Sequence, residues 1–356
     1  MHPIYYKGSH QFVPIISPAS SSIMLVILIP FFLVGRIPIE KDVWSPNLEY
    51  NFKLNISQIE RIESDTYLYS SVTANLLCRP RKSDVLSCVM ENPLIRNEET
   101  KIANAGESYL EYFGKWVYFD QLVNPRFEIV FDKNGAKSLV VSRNASANLN
   151  LYRTIANQLS IGTVLEHRMS GDFSAVENST VGQCEVLYRI NKDGKMIHAE
   201  RTEPTFTLVS IANNHKPRGK VIEIEKHRNL SNCQINDIYL FETSKKHSAY
   251  KQKLESHVKN YSSTFYISDT VFRSESHADT ELTDNEKKVG TVELRIILAL
   301  ERIKILNSEI PEVEDPITVG VIGENFTKKS GNNIEIHETS TESEETESNS
   351  KTTDNE

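Results

Sequence analysis

The chain has 356 residues, 39% of them hydrophobic, enough to bury one large core or two modest ones. Its formal charge of −8 is uneven: residues 335–356 hold eight acids and one base, so the rest of the chain is close to neutral. A neutral body excludes nucleic acid as the main partner, because phosphate binding needs a basic field.

The first feature along the chain is the apolar run IMLVILIPFFLVG, Ile23 to Gly35. It is too short to span a bilayer, which takes about 20 residues. Small residues follow the apolar stretch, as in the hydrophobic region and cleavage zone of a secretory signal. Residues 1–35 are therefore expected to be a signal-like segment with cleavage near Gly35, and the mature chain to be secreted. Six Asn-x-Ser/Thr sequons, at Asn55, Asn144, Asn178, Asn229, Asn260 and Asn325, are glycosylation candidates in that compartment. Four cysteines, Cys78, Cys88, Cys184 and Cys233, are expected to form two disulfides, and three connectivities are open. No Cys-x-x-Cys occurs, so no zinc site or redox motif is indicated.

EYNFKLNI alternates apolar and polar residues with period two, the mark of a half-buried strand. RPRK, Arg79 to Lys82, is expected to be an exposed loop, and DVLSCVM a strand after it. RFEIVFDKNGAKSLVV predicts a hairpin turning at Asn134-Gly135, since Asn-Gly tolerates the positive φ of tight turns. In ANLNLYRTIANQLS the period changes: Leu151, Ile155 and Leu159 fall at i, i+4 and i+8, an apolar helical stripe. One helix among many strands must bury that stripe against a sheet. CEVLYRINKDGKMIH predicts a second hairpin, at Asp193-Gly194. TFTLVSIA, KVIEIEK and TVELRIILALERIKIL add strands, and SAYKQKLESHVKNYSS reads as a second, exposed helix or a loop. The Ser/Thr/Glu-rich end, 331–356, lacks the apolar residues to offset ordering entropy and is expected to be disordered. Ser340 and Ser343 there fit the Ser-x-Glu pattern of secretory phosphorylation. The chain carries no phosphate-binding loop, no nucleophile elbow and no close histidine ligand spacing. Catalytic residues, metal ligands and cofactors are therefore expected to be none, and the protein not an enzyme.

Taken together, WSPNLEYNFKLN, the hairpin, the helix pattern Asn150, Arg153, Ile155, Leu159, the strand VGQCEVLYRI and the segment EKHRNLSNC resemble the N-terminal module of the vitellogenin family, large lipid-transfer proteins of yolk. The resemblance covers roughly 40–310. It is to a short, insect-like member that ends in a Ser/Thr/Glu tail where longer relatives continue into their lipid-cavity domains. It implies a mainly β fold, a β-barrel wrapped round one central helix, occupying 36–330. It also implies that Cys184 pairs with Cys233, which leaves Cys78 for Cys88. In egg-laying vertebrates a basic segment before the Asn-Cys is associated with the yolk receptor; the matching residues are Lys226, His227 and Arg228. The implied function is family-level lipid transport or yolk-precursor activity. With the cavity domains missing, the expected work is recognition of a lipoprotein-receptor-type receptor or a membrane or microbial surface. The alternatives are a true lipid carrier or nutrient reservoir, with lipid as partner, and a fragment of a full-length relative.

Overall fold

The computed structural model describes residues 33–36, 48–62, 66–82, 84–101, 114–119, 126–132, 135–163, 165, 170–194, 207–210, 221–233, 255–268 and 270–322. These form the strands β1 (Leu33–Arg36), β2 (Leu48–Ile62), β3 (Thr66–Lys82), β4 (Val85–Lys101), β5 (Val117–Tyr118), β6 (Phe127–Asp132) and β7 (Gly135–Ser142), then the helix α1 (Leu149–Gln158). After it come β8 (Gly171–Ser179), β9 (Gly182–Gly194), β10 (Thr207–Ser210), β11 (Val221–Asn229), β12 (Glu255–Ile267), β13 (Phe272–Asp284), β14 (Lys287–Ile305) and β15 (Pro316–Gly320). They belong to a compact unit that runs to Glu324; the tail with Ser340 and Ser343, and the sequon at Asn325, lie outside the described residues.

Thirteen strands make one antiparallel sheet in the order β15-β7-β6-β4-β3-β2-β14-β13-β12-β11-β9-β8, with β5 added against β4. Period-two alternation sets its inner face: Tyr50, Phe52, Leu54 and Ile56 of β2 are buried beside Leu294, Ile296 and Leu298 of β14. The sheet bends round α1, which touches strands far apart in that order. Tyr152 stacks on Phe127 of β6 at 4.3 Å, Gln158 Nε2 donates to Ser276 Oγ of β13, and Arg153 Nε donates to the Gly320 carbonyl at the end of β15. Leu151, Ile155 and Leu159 are fully buried, as their spacing predicts, but so are Arg153, Thr154, Asn157 and Gln158. From Leu151 onward the helix is enclosed on every side rather than laid on a surface.

The expected barrel is not closed by hydrogen bonds: among the described residues β15 and β8 are free ends of the sheet. The chain itself fills the seam, because α1 must leave the interior to reach β8. Its exit segment sits between β7 and β8. Ala136 N–H donates to Ser160 Oγ at 3.0 Å, and a Cβ on Gly162 (φ +83°) would meet the Glu177 side chain of β8 at 2.5 Å. Only glycine accepts both that φ and that approach.

Four expectations are corrected. SAYKQKLESHVKNYSS is neither helix nor loop where it is described: from Glu255 it is β12, alternating buried and half-buried from Tyr261 onward after a bulge at Val258/Asn260. Asp193-Gly194 is not a tight turn, since β9 runs through Gly194, which pairs with Val221 of β11. Arg79–Lys82 is strand rather than exposed loop. Arg79 is buried and clamps the segment after β14, donating to the Ser308 carbonyl at 2.6 Å, while Arg81 meets Glu128 and Glu312. The fourth concerns the basic segment and is taken up with the site. The 127–141 hairpin is present, and Gly135 leads its return strand with φ +103°. Asn134, and the apolar run from Ile23 to Phe32, lie outside the described residues; Gly35, the expected cleavage position, falls in β1 opposite Leu208 of β10.

Candidate functional site

β11 begins Val221-Ile-Glu-Ile and is buried at Val221 and Ile224. Continuing every second residue from Ile224 turns Lys226 and Arg228 to the same inner face, and their side chains are 0% exposed. This overturns the expectation of an exposed basic patch. Only His227 faces solvent, 3.7 Å from Glu225. The two inward cations share one carboxylate, Glu177 of β8, also fully buried. Lys226 Nζ donates to Glu177 Oε1 at 2.6 Å and to the Ser160 carbonyl at 3.2 Å. The second bond places a cation against the carbonyl end of α1, where the helix dipole favours it. Arg228 Nη2 donates to Glu177 at 3.4 Å and Nη1 to Ser263 Oγ at 3.1 Å, and its guanidinium lies 4.2 Å from the Tyr261 ring centroid. Ser263 passes the network to Ser276 and so to Gln158, while Tyr188 Oη donates to the Ile161 carbonyl. Glu177, Lys226 and Arg228 thus fasten β8, β11 and the helix exit to one another.

Burial dominates the protonation of this cluster. Desolvation, eased by Glu177 and reinforced by Arg228, pushes Lys226 down to about 8. Desolvation also opposes the charge on Arg228, but Glu177, Tyr261 and Tyr188 together outweigh it and raise its pKa. Desolvation, with Glu177 adding to it, raises Tyr188 well above the usual phenol value, and burial of Tyr152 moves that residue to about 12. A lysine whose folded pKa lies below its unfolded value makes the unfolded chain bind more protons between about pH 8 and 10.5. Its contribution to stability therefore rises with pH across that window. The tyrosines act oppositely: their contribution is complete below about pH 10 and falls as pH climbs toward their folded values. Denaturant midpoints from pH 7 to 12 should peak near pH 10, and Lys226→Met should flatten the rising limb. A midpoint that falls steadily from pH 8 to 10 in the wild type contradicts this assignment.

On the same inner face, Cys184 of β9, which is buried and opposite Glu177 in the β8/β9 register, is bonded to Cys233 after β11; elsewhere in the sheet Cys78 is bonded to Cys88 directly opposite it in the β3/β4 register. Beside Cys184 lies an open groove of about 440 Å³ bordered by Ser174, Val176, Gln183, Glu185 and Asn232. Five sequon residues, Asn55, Asn144, Asn178, Asn229 and Asn260, are exposed. Among the described residues, no three His, Cys, Asp or Glu side chains are grouped to hold a metal. Glu177, the centre of the cluster, was missed in the sequence. The parity of β11 was the available signal for Lys226 and Arg228, since two inward cations demand a buried acid.

A family model described as the vitellogenin N-terminal domain matches residues 44–306. Among solved structures, one of lipovitellin, described for its lipid–protein interactions, is similar in fold with a TM-score of 0.53 and 12% sequence identity. That similarity covers 81% of this chain and 30% of the lipovitellin chain, so this chain spans less than a third of it.

Proposed function

Since the chain belongs to the vitellogenin N-terminal domain family, a family of lipid transport, we propose that it is a secreted, non-enzymatic binding module that works through the outside of its sheet. The observation that carries this reading is the filled interior. α1 is buried from Leu151 to Leu159, and the Glu177 cluster and the helix exit occupy the remaining concave face. A lipid chain there would have to displace a helix or desolvated ions, at a cost of several kcal/mol. Secretion is supported by two disulfides with no free cysteine among the described residues, and by exposure of all five described sequon asparagines. The receptor role once expected of Lys226 and Arg228 has no place in this reading, because neither side chain reaches solvent.

Expression in a eukaryotic secretory cell tests it. The chain is expected in the medium, with both disulfides formed and less than one lipid per chain by organic extraction and mass spectrometry. Several tightly held lipids per chain, or retention as a reduced intracellular protein, would overturn the reading.

A further inference from the structure

β5 stands apart from the rest of the outer surface. With the residue just before it, it presents three consecutive exposed large side chains: Trp116 at 42%, then Val117 at 56% and Tyr118 at 50% in the strand. Neighbouring residues of a strand point to opposite faces, so exposure of both Val117 and Tyr118 means that β5 is uncovered on both. Among the described residues it pairs only with Leu94 and Ile95 of β4. The feature is a protruding rim, not a groove. A rigid partner laid against one face would leave the other wet, whereas a fluid phase closes round both.

The chemistry of the rim fits one such phase. Trp and Tyr have apolar bodies and polar tips and settle at the headgroup level of a bilayer. The Arg96 guanidinium lies between two rings, 5.1 Å from the centroid of Trp116 and 5.4 Å from that of Tyr69, so a cation is held at the base of the rim. Exposed Lys115 adds a second. The acid in this row, Glu98, accepts from the backbone N–H of Gly114. Among the described residues of this row, Arg96 and Lys115 stand against Glu98, a net charge of one positive on a body that is nearly neutral, which complements an anionic surface. The exposed sequon Asn55 shares this outer face and lies three strands away in register, roughly 14 Å at the usual strand spacing.

We propose that the rim Trp116-Val117-Tyr118, with Arg96 and Lys115, docks the protein onto an anionic phospholipid surface. The proposal rests on the reading that the outside of the sheet is the working surface, yet it can fail by itself: vesicle binding can be absent while the lipid-free secreted state stands.

The experiment uses the full secreted chain and vesicles of phosphatidylcholine alone or with phosphatidylserine at about 7:3. Trp44→Phe leaves Trp116 as the sole tryptophan. Its emission is expected to shift to the blue, and the protein to float with the phosphatidylserine vesicles about tenfold more tightly than with phosphatidylcholine, since each cation near an anionic surface is worth roughly a fivefold gain. Trp116→Ala with Tyr118→Ala should weaken flotation about tenfold or more at an unchanged melting temperature. Val176→Ser with Leu187→Ser, which removes the other exposed apolar pair, should leave it unaltered. No shift and no flotation overturns the proposal. So does equal binding to both vesicles, wild-type flotation of the rim variant, or loss in the Val176/Leu187 variant.

Discussion

Glu177→Gln is expected to lower the unfolding free energy by about 3–5 kcal/mol, the usual result of removing one partner of a buried ion pair. The effect belongs near the top of that range because the carboxylate serves two cations, with Lys226 at 2.6 Å and Arg228 at 3.4 Å, all with side chains at 0% exposure. The glutamine keeps the volume and offers one acceptor, so the loss is electrostatic rather than a cavity. It leaves two positive charges in the interior with no negative charge to balance them. Lys226 can respond by releasing its proton, since its pKa already lies near 8; Arg228 cannot. Adding Lys226→Met to Glu177→Gln should therefore recover part of the loss, and the two substitutions should be strongly non-additive in a double-mutant cycle. Equilibrium denaturation with the disulfides intact measures this. A cost under about 1 kcal/mol for Glu177→Gln, or simple additivity with Lys226→Met, would show that the carboxylate does not hold these cations.

Replacing both Cys184 and Cys233 by serine should cost about 4 kcal/mol, from the entropy of closing a loop of about 50 residues in the unfolded chain. The sequence separation of this pair is 49, against 10 for Cys78–Cys88. The shorter pair lies across adjacent strands already in register, so its removal should cost less, about 3 kcal/mol by the same relation. The ordering is the informative part. Cys184 and Cys233 lie outside the strand pairs that fix β9 to β11, yet they close the loop spanning both strands, with Lys226 and Arg228 inside it. Equal losses for the two pairs, by denaturant midpoint, would contradict the loop-closure account.

Much of the fold was legible where the residues follow one period. β2 alternates cleanly, the 127–141 hairpin carries its own turn glycine, and α1 shows its stripe at Leu151, Ile155 and Leu159. Legibility failed where the inner face is polar. β13 turns Ser274, Ser276 and Thr280 inward beneath α1, whose own Asn157 and Gln158 are buried, so an apolar count finds no strand in FRSESHADTELTD. β3 was obscured in the same way at its end, where Arg79 is buried by its bonds to the segment after β14. The basic segment shows the limit most plainly. Lys226 and Arg228 look like surface charges by residue type, and only strand parity counted from Ile224, together with an acid on another strand, shows that they face inward. The pairing of the cysteines came from the resemblance, because four cysteines by number allow three arrangements.

The place of β14 in the sheet has a consequence for biosynthesis. β2 is hydrogen-bonded to β3 on one side and to β14 on the other, in register from Leu48↔Ile305 to Ile62↔Gly290. The ribosome finishes β2 at residue 62 and β14 at residue 305, about 240 residues apart, an interval on the order of 10–50 s at ~5–20 residues per second. During that interval β2 has an open edge, and the growing chain holds one half of a sheet whose other half is still being made. An unpaired edge of 15 residues is a template for the wrong partner, another nascent chain included. The wait for β14 is therefore a hazardous interval in the making of this fold.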